Sequence, residues 1–327
     1  MAVEAHRAGF RVNVSAYPAW ARYHASAVTS IVARRGDYDA VLTQNFCPAF
    51  SRVRTAVLLH DVLFITNPDW FTRTERLYLG AIRPSLRRAD VILATSSSEA
   101  ARIGTVWPEV QDRIERVGLA VPETIVATTA RRPRSWRCDE PFILAVGRLN
   151  VRKNLARLIE AFALVAAGER HVHLVIAGER NGAYLPVEVP ARIASRIHFL
   201  GHVSDSELRW LYEQCELFVF PSLGEGYGLP LVEANLLGAR IVASDIPAFR
   251  ELGVAVRYFD PKSVDDIAAA ILSGLAAPAV VKSEQLTWDD VARNMRDALE
   301  GIPERRLGTG RYRFSLRRSG RRDSSGK

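Results

Sequence analysis

The sequence predicts an α/β protein with two parallel-sheet domains, and three observations support this prediction. The chain has 327 residues, more than one hydrophobic core usually holds, so about two domains are expected. Short apolar runs alternate with longer amphipathic stretches, which is the pattern of parallel strands covered by helices on both faces. Apolar residues make up 48% and charged residues 24% of the chain, which excludes a mostly disordered protein.

The first domain is predicted at residues 1–130. Its apolar runs predict four strands, at 12–14, 40–43, 56–59 and 91–94. Ser96 and Glu99 follow the last of these strands with the spacing of a capping box, so a helix is expected to begin there. The arginine-rich stretch at 131–140 predicts a linker between the two domains.

The second domain is predicted at residues 141–285 and has the more regular pattern. Its strands are expected at 142–146, 174–177, 197–200, 217–220 and 240–243. Helical spacing of apolar residues predicts a helix over 154–167, and Ser204 with Glu207 forms a second capping-box pattern. A closing helix is predicted within 286–302, with apolar residues on one side at Trp288, Val291, Met295 and Leu299.

The net charge of +8 is concentrated at one end of the chain. Residues 303–327 hold nine of the 44 Lys and Arg residues and two of the 36 Asp and Glu residues, so the rest is almost neutral. This distribution argues against a nucleic-acid-binding fold. We predict a disordered basic tail, and peripheral contact with an anionic membrane is the alternative to a tail without a role.

The sequence also predicts a cytoplasmic protein, located peripherally at the inner face of the membrane if the tail binds lipid. No apolar run approaches the ~20 residues of a membrane span, and the first residues lack the apolar core of a secretory signal. Three widely spaced cysteines fit reduced thiols better than a disulfide framework.

A glycine-rich segment at 220–233 leaves a predicted strand and enters a helix near Pro230. Its glycines allow close approach of the backbone to a ligand, and a helix start suits a phosphate. Glu225 lies in the loop and Glu233 lies on the helix, where carboxylates can bind ribose or sugar hydroxyls. A dinucleotide-binding fingerprint is the rival interpretation, but the third glycine falls one position early for it.

A second segment, at 147–154, joins a predicted strand to a helix and contains Arg148 and Lys153. Ligands of open α/β sheets bind at this carboxyl edge. Two cations there can neutralise a diphosphate, and arginine can do so with two parallel hydrogen bonds. The histidines lack the spacing of metal ligands, so we predict no metal and no cofactor.

Together these segments resemble the retaining glycosyltransferases of family 4, the group 1 transferases of the GT-B fold. The resemblance is carried by residues 147–154, 199–208 and 220–234. It implies two Rossmann-like domains that face each other across a cleft. It also implies transfer of a sugar from a nucleotide diphosphate sugar to an acceptor hydroxyl with retention, in the synthesis of a polysaccharide, lipopolysaccharide or glycolipid.

The resemblance implies a role for each matching residue. Arg148 and Lys153 would hold the donor diphosphate, Glu225 would contact the transferred sugar and Glu233 would bind the ribose. His60, in a His-Asp pair at a strand end, would face the donor sugar, so the predicted catalytic residues are His60, Arg148, Lys153 and Glu225. The remaining donor contacts would come from the loop at Val203 and from the backbone of Gly226, Tyr227, Gly228 and Leu229.

The partners implied are a nucleotide-sugar donor and a glycan or lipid-linked acceptor. The stretch at 60–71 favours GDP-mannose as the donor, with UDP- and dTDP-sugars left open.

One feature departs from the family pattern. Family members begin with a strand and a glycine-rich loop, whereas residues 1–14 match the helix and second strand that follow that loop. The sequence therefore predicts an amino-terminal domain without its first strand and glycine-rich loop. This keeps open a second hypothesis, a catalytically impaired nucleotide-sugar-binding or assembly subunit. A sugar-nucleotide epimerase of the same fold is disfavoured by the spacing of the two glutamates.

Overall fold

The structure is a computed structural model that describes residues 39–51, 53–168, 171–179, 188–254, 256–278 and 283–302. Three predictions lie outside these residues: the strand at 12–14, the missing first strand and glycine-rich loop, and the basic tail at 303–327. In the described part, no helix is long and apolar enough to cross a bilayer.

The described residues form two sheets in which all strand pairs are parallel. The first sheet has the order β1-β2-β3-β4, and the second has the order β10-β9-β8-β5-β6-β7. The strands are β1 Ala40–Gln44, β2 Arg54–Leu59, β3 Val91–Ala94, β4 Ile114–Arg116, β5 Phe142–Val146, β6 His173–Ala177, β7 Ile197–Gly201, β8 Leu217–Phe220, β9 Ile241–Ser244 and β10 Arg257–Phe259.

Helices lie between most of these strands in the chain, as is usual for parallel pairing. They are α1 Leu63–Thr66, α2 Arg73–Gly80, α3 Ile82–Leu86, α4 Ser97–Val106, α5 Glu123–Ala127, α6 Leu155–Ala166, α7 Asp205–Gln214, α8 Leu229–Leu236, α9 Pro247–Arg250, α10 Val264–Leu275 and α11 Trp288–Glu300. Short 3-10 turns lie between them, at Pro68–Trp70, Pro108–Arg113, Val151–Lys153 and Ala191–Arg196. The α/β class predicted from the sequence is confirmed.

Local sequence explains where several helices begin. Ser204 accepts a hydrogen bond from the Glu207 amide and Glu207 caps the Ser204 amide in return, which is the predicted capping box. The prediction at Ser96 is only half right. Ser96 does accept from the Glu99 amide, but the Glu99 carboxylate turns away and accepts from the Val62 amide at 2.7 Å.

The closing helix α11 packs on the first sheet, although it follows the second sheet in the chain. Val291 and Met295 are buried in the same cluster as Ala56 and Leu58 of β2. Apolar clusters cover both faces of the second sheet as well. Each sheet is therefore shielded on its faces and offers its carboxyl edge for binding, as in other open α/β folds.

Candidate functional site

The two segments singled out in the sequence meet at the carboxyl edge of the second sheet. Strands β5 and β8 are neighbours, paired at Ile143–Leu217 and Leu144–Phe218, and the strand order reverses between them. Such a topological switch point is where open α/β sheets bind ligands. The loop at 147–154 leaves β5 and the glycine-rich loop leaves β8, so both predicted loops flank this point.

A buried ion pair joins the two loops. The Lys153 Nζ lies 2.7 Å from the Glu225 Oε1 and 4.5 Å from the centre of the Phe220 ring. Burial lowers the pKa of Lys153, and Glu225 opposes that shift. Burial alone would raise the pKa of Glu225, but Lys153 and Arg152 outweigh it and hold this pKa below its usual value. Glu225 is therefore charged at neutral pH, and its carboxylate favours the charged form of Lys153.

Asn154 fixes the position of the loop at 147–154, which we call the lysine loop. It adopts a left-handed conformation with φ of 56°, and its buried amide donates to the carbonyl oxygens of Pro221 at 3.1 Å and Pro261 at 2.7 Å. The Leu223 amide also donates to the Arg152 carbonyl at 2.8 Å. The two loops are thus tied together by backbone and side-chain bonds as well as by the ion pair.

The glycine-rich loop also contacts the first sheet. The Gly226 carbonyl accepts hydrogen bonds from Thr95 at 3.2 Å and Ser96 at 2.6 Å, both from the loop after β3. A Cβ at Gly226 would lie 2.0 Å from the His60 carbonyl oxygen. Only glycine fits this approach, so the carboxyl edges of the two sheets touch at this residue.

His60 lies at the end of β2, beside this contact, and its side chain is exposed. It lines a cavity of about 220 Å³ together with Asp61, Arg148 and Arg152. Partial burial lowers the pKa of His60, and Asp61 opposes the shift. A neutral imidazole at pH 7 can both donate and accept hydrogen bonds, as contact with sugar hydroxyls requires.

Arg152 connects the two sheets in the same place. Its Nη1 lies 3.3 Å from the Asp61 Oδ2 and 3.5 Å from the Glu225 Oε2. Burial lowers the pKa of Arg152, but Glu225 and Asp61 raise it further than burial lowers it. Lys153 and Arg152 therefore both neutralise the Glu225 carboxylate. Arg148 lines the cavity and its side chain is exposed.

Glu233 is buried on α8, where it accepts a hydrogen bond from the Tyr212 hydroxyl at 3.0 Å. Burial raises the pKa of Glu233 to about 7, and the Tyr212 hydroxyl partly offsets the rise. The charged form of this carboxylate therefore destabilises the folded protein at neutral pH. Ionisable side chains whose pKa is strongly shifted by burial are frequent at binding and catalytic sites.

The effect of Glu233 on stability is testable through pH. Its pKa is higher in the folded chain than in the unfolded one, so stability falls as pH rises from about 4.5 to about 7. We expect Glu233→Gln to raise the free energy of unfolding by roughly 1–3 kcal/mol at pH 8 and by almost nothing near pH 4.5. Urea denaturation at both pH values measures this, with the exposed Glu160→Gln as control. Equal stability of wild type and Glu233→Gln at pH 8 would contradict it.

The other predicted donor residues lie around these groups. Gly228 has φ of +118° and precedes α8, so the loop enters that helix without a side-chain cap. Tyr227 is buried and donates from its hydroxyl to the Leu119 carbonyl at 2.7 Å, so only its backbone is free for a ligand. Leu229 begins α8, and Val203 immediately precedes the capping box of α7.

Sequence reasoning missed several residues that hold the site together. These are Thr95, Ser96, Arg152 and Tyr212, described above, and Glu251, which accepts from the Ser97 and Ser98 amides at 2.7 and 3.0 Å. Their partners are distant in the chain, so no local spacing could reveal them. The local signals were the capping-box spacing, which marked Ser96 only as a helix cap, and the His-Asp pair, which marked Asp61 as well as His60.

In the ranges that the structure describes, no group of three or more His, Cys, Asp or Glu side chains is close enough together to hold a metal ion.

Comparison with known proteins finds similarity in the same part of the chain as these two loops. The sequence model of the family described as glycosyl transferases group 1 matches residues 140–277, which include both loops and the second sheet. This part of the chain is therefore similar to the group 1 glycosyl transferases.

Similarity to two mannosyltransferases extends beyond the matched range. The chain is 29% identical to the serotype-specific mannosyltransferase WbdA of Escherichia coli over 276 residues. This alignment covers 76% of this chain and 33% of WbdA. It is 28% identical to the O-antigen chain mannosyltransferase B of Escherichia coli over 270 residues, 75% of this chain and 70% of that protein. The chain thus spans about a third of the length of WbdA.

The fold is that of the GT-B transferases. The sucrose-phosphate synthase of Thermosynechococcus elongatus superimposes with a TM-score of 0.60 at 18% identity, over 89% of this chain and 77% of that one. The predicted fold is therefore confirmed, and the predicted resemblance to group 1 glycosyl transferases is found over residues 140–277. The roles of the individual site residues stay predictions.

Proposed function

We propose that this chain transfers a sugar from a nucleotide diphosphate sugar to a hydroxyl of a glycan or lipid-linked acceptor, with retention of configuration. The observation that carries the proposal is the Lys153–Glu225 pair, buried at the switch point of the second sheet and beside the His60 cavity. This arrangement places cationic side chains that can bind a diphosphate next to polar side chains that can bind a sugar.

The donor would lie along the carboxyl edge of the second sheet. Arg148 and Lys153 would hold the diphosphate, Glu233 would bind the ribose and the loop at Val203 would face the base. As the bond to the sugar breaks, negative charge grows on the leaving diphosphate. Cations and the helix start at Gly228, held in place beforehand, would stabilise that charge without further rearrangement.

The acceptor would enter from the side of the first sheet. We assign the acceptor to the domain at 1–130 and the donor to the domain at 141–285, joined by the linker at 131–140 and completed by the helix within 286–302. His60 would bind a hydroxyl of the donor sugar, and Glu225 would contact the same sugar. Contact between the two sheets would exclude water and so limit hydrolysis of the donor.

We infer that the sugar is mannose, supplied as GDP-mannose, for use in a polysaccharide or lipopolysaccharide. The support is similarity to two sequences that are both named as mannosyltransferases, one of them of the O-antigen chain. We also place the reaction at the inner face of the membrane, because the nine basic residues within 303–327 can bind anionic lipid. Unchanged binding to anionic liposomes after deletion of 303–327 would remove that role.

Binding of nucleotides tests the donor site. We expect GDP, or GDP-mannose, to raise the melting temperature of the full chain more than UDP or dTDP sugars do, since a ligand of the folded state stabilises it by mass action. Arg148→Ala should weaken that binding at least about tenfold, the contribution of one charge-assisted hydrogen bond. Glu233→Ala should abolish the nucleotide-induced shift without unfolding the protein.

The matched control is Arg192→Ala, because Arg192 is exposed and lines neither of the two cavities. Nucleotide affinity unchanged by Arg148→Ala and by Glu233→Ala would remove these residues from the donor site.

A further inference from the structure

A second cavity, of about 480 Å³, lies beside the glycine-rich loop. It shares Trp70 with the His60 cavity but is otherwise lined by different residues. Its volume falls in the range of small-molecule sites, ~300–1,000 Å³. Of the residues predicted to bind the donor, Glu225 alone lines it, so this cavity is distinct from the predicted diphosphate and ribose sites.

Three cationic side chains from three separate parts of the fold line this cavity. They are Arg102 on α4, Arg157 on α6 and Lys262 in the turn between β10 and α10. Arg157 donates to a neutral partner, the Asn154 side-chain oxygen, at 3.0 Å. The Lys262 side chain is exposed, and in the described ranges no carboxylate lies within ion-pair distance of it.

The carboxylates near the cavity do not cancel this charge. Glu225 is already neutralised by Lys153 at 2.7 Å and Arg152 at 3.5 Å. Glu99, which is fully buried, pairs with the partly exposed Arg102. Within the part of the chain that the structure describes, neither Arg157 nor Lys262 has an acidic partner, so these cavity walls carry excess positive charge and favour an anion.

The remaining lining suits a sugar. Trp70 is partly exposed and packs over Gly224, where an added Cβ would lie 3.0 Å from its ring. Thr66 and Asn67 add a hydroxyl and an amide to the wall. Small-ligand sites commonly combine aromatic or apolar walls with a few polar groups that fix orientation, and cations with several donors suit phosphate oxygens.

We propose that this cavity is a binding site for a phosphorylated saccharide, with the phosphate on Arg157 and Lys262 and the sugar against Trp70. The site is separate from that of the donor diphosphate.

Calorimetry on the full chain tests the proposal with mannose 6-phosphate as the probe. Arg157→Gln and Lys262→Gln should each weaken binding about tenfold, as loss of one charge-assisted contact predicts, while nucleotide binding stays unchanged. Trp70→Ala should also weaken binding of the probe. Arg148→Ala serves as the opposite control, since it should weaken nucleotide binding and leave the probe bound. Thermal unfolding of each variant shows whether it is folded.

Three outcomes would overturn the proposal: no measurable binding of the probe, affinity unchanged in the Arg157→Gln and Lys262→Gln variants, or loss of binding in Arg148→Ala instead. Inorganic phosphate that binds as tightly as mannose 6-phosphate would also exclude the saccharide. Failure of the proposed sugar transfer would be distinct, because the probe would still bind and would still respond to Lys262→Gln.

Discussion

Replacement of Lys153 by methionine is expected to lower the free energy of unfolding by about 3–5 kcal/mol, the usual cost of breaking a buried ion pair. Glu225 would keep only Arg152, whose Nη1 is 3.5 Å from its carboxylate, and would lose the bond of 2.7 Å to Lys153. Sugar transfer should be lost as well, because the diphosphate would lose a cation. Urea denaturation at pH 7 measures the first effect.

The double variant Lys153→Met with Glu225→Gln separates stability from function. It removes both charges, so no buried carboxylate is left with a weakened partner, and it should recover most of the lost stability. Activity should stay absent, since neither the diphosphate contact nor the sugar contact is restored. A single Lys153→Met variant as stable as the wild type would show that the pair does not hold the two loops together.

The second large effect is expected for Gly226→Ala. The added Cβ would lie 2.0 Å from the His60 carbonyl oxygen and 3.0 Å from the Asp61 Cβ, so the loop or the first sheet must move. Overpacking of this kind costs about 1–3 kcal/mol. The shift would break the hydrogen bonds from Thr95 and Ser96 to Gly226 and separate His60 from the donor site, so turnover should fall at least about a hundredfold.

Gly80→Ala is the matched control for this substitution. Gly80 is the last residue of α2, and a Cβ there would meet nothing within 4 Å. This variant should keep full activity and at least wild-type stability, because alanine favours a helix more than glycine does. If Gly226→Ala behaved like Gly80→Ala, the contact between the two sheets at this residue would not be part of the active protein.

Much of the fold could be predicted from local sequence. Apolar runs such as 91–94 became strands with the expected bounds, and Ser204 with Glu207 marked a helix start through a contact of only three residues. The glycine-rich loop and the lysine loop could be predicted too, because each follows a strand directly. Family resemblance then suggested that they act together, and the pairing of β5 with β8 explains how they meet.

Long-range contacts could not be predicted in the same way. Glu99 has the spacing of a capping residue, but its carboxylate does not cap the helix. The buried Val62 amide needs a hydrogen-bond acceptor, and the Glu99 carboxylate accepts from it at 2.7 Å. Arg152 and Asp61 are 91 positions apart in the chain, so only the packing of the two sheets brings them together. For the same reason, the cationic cavity at Arg102, Arg157 and Lys262 has no signature in the sequence.

Turnover of the donor tests the central claim most directly. The full chain would be incubated with GDP-mannose and a glycan-bearing membrane extract, and release of GDP and transfer of labelled mannose would be measured. We expect both in the wild type and neither in Glu225→Gln, with Arg192→Ala as active control. Absence of nucleoside diphosphate release from GDP-, UDP- and dTDP-sugars alike would contradict sugar transfer and would favour the nucleotide-sugar-binding subunit instead.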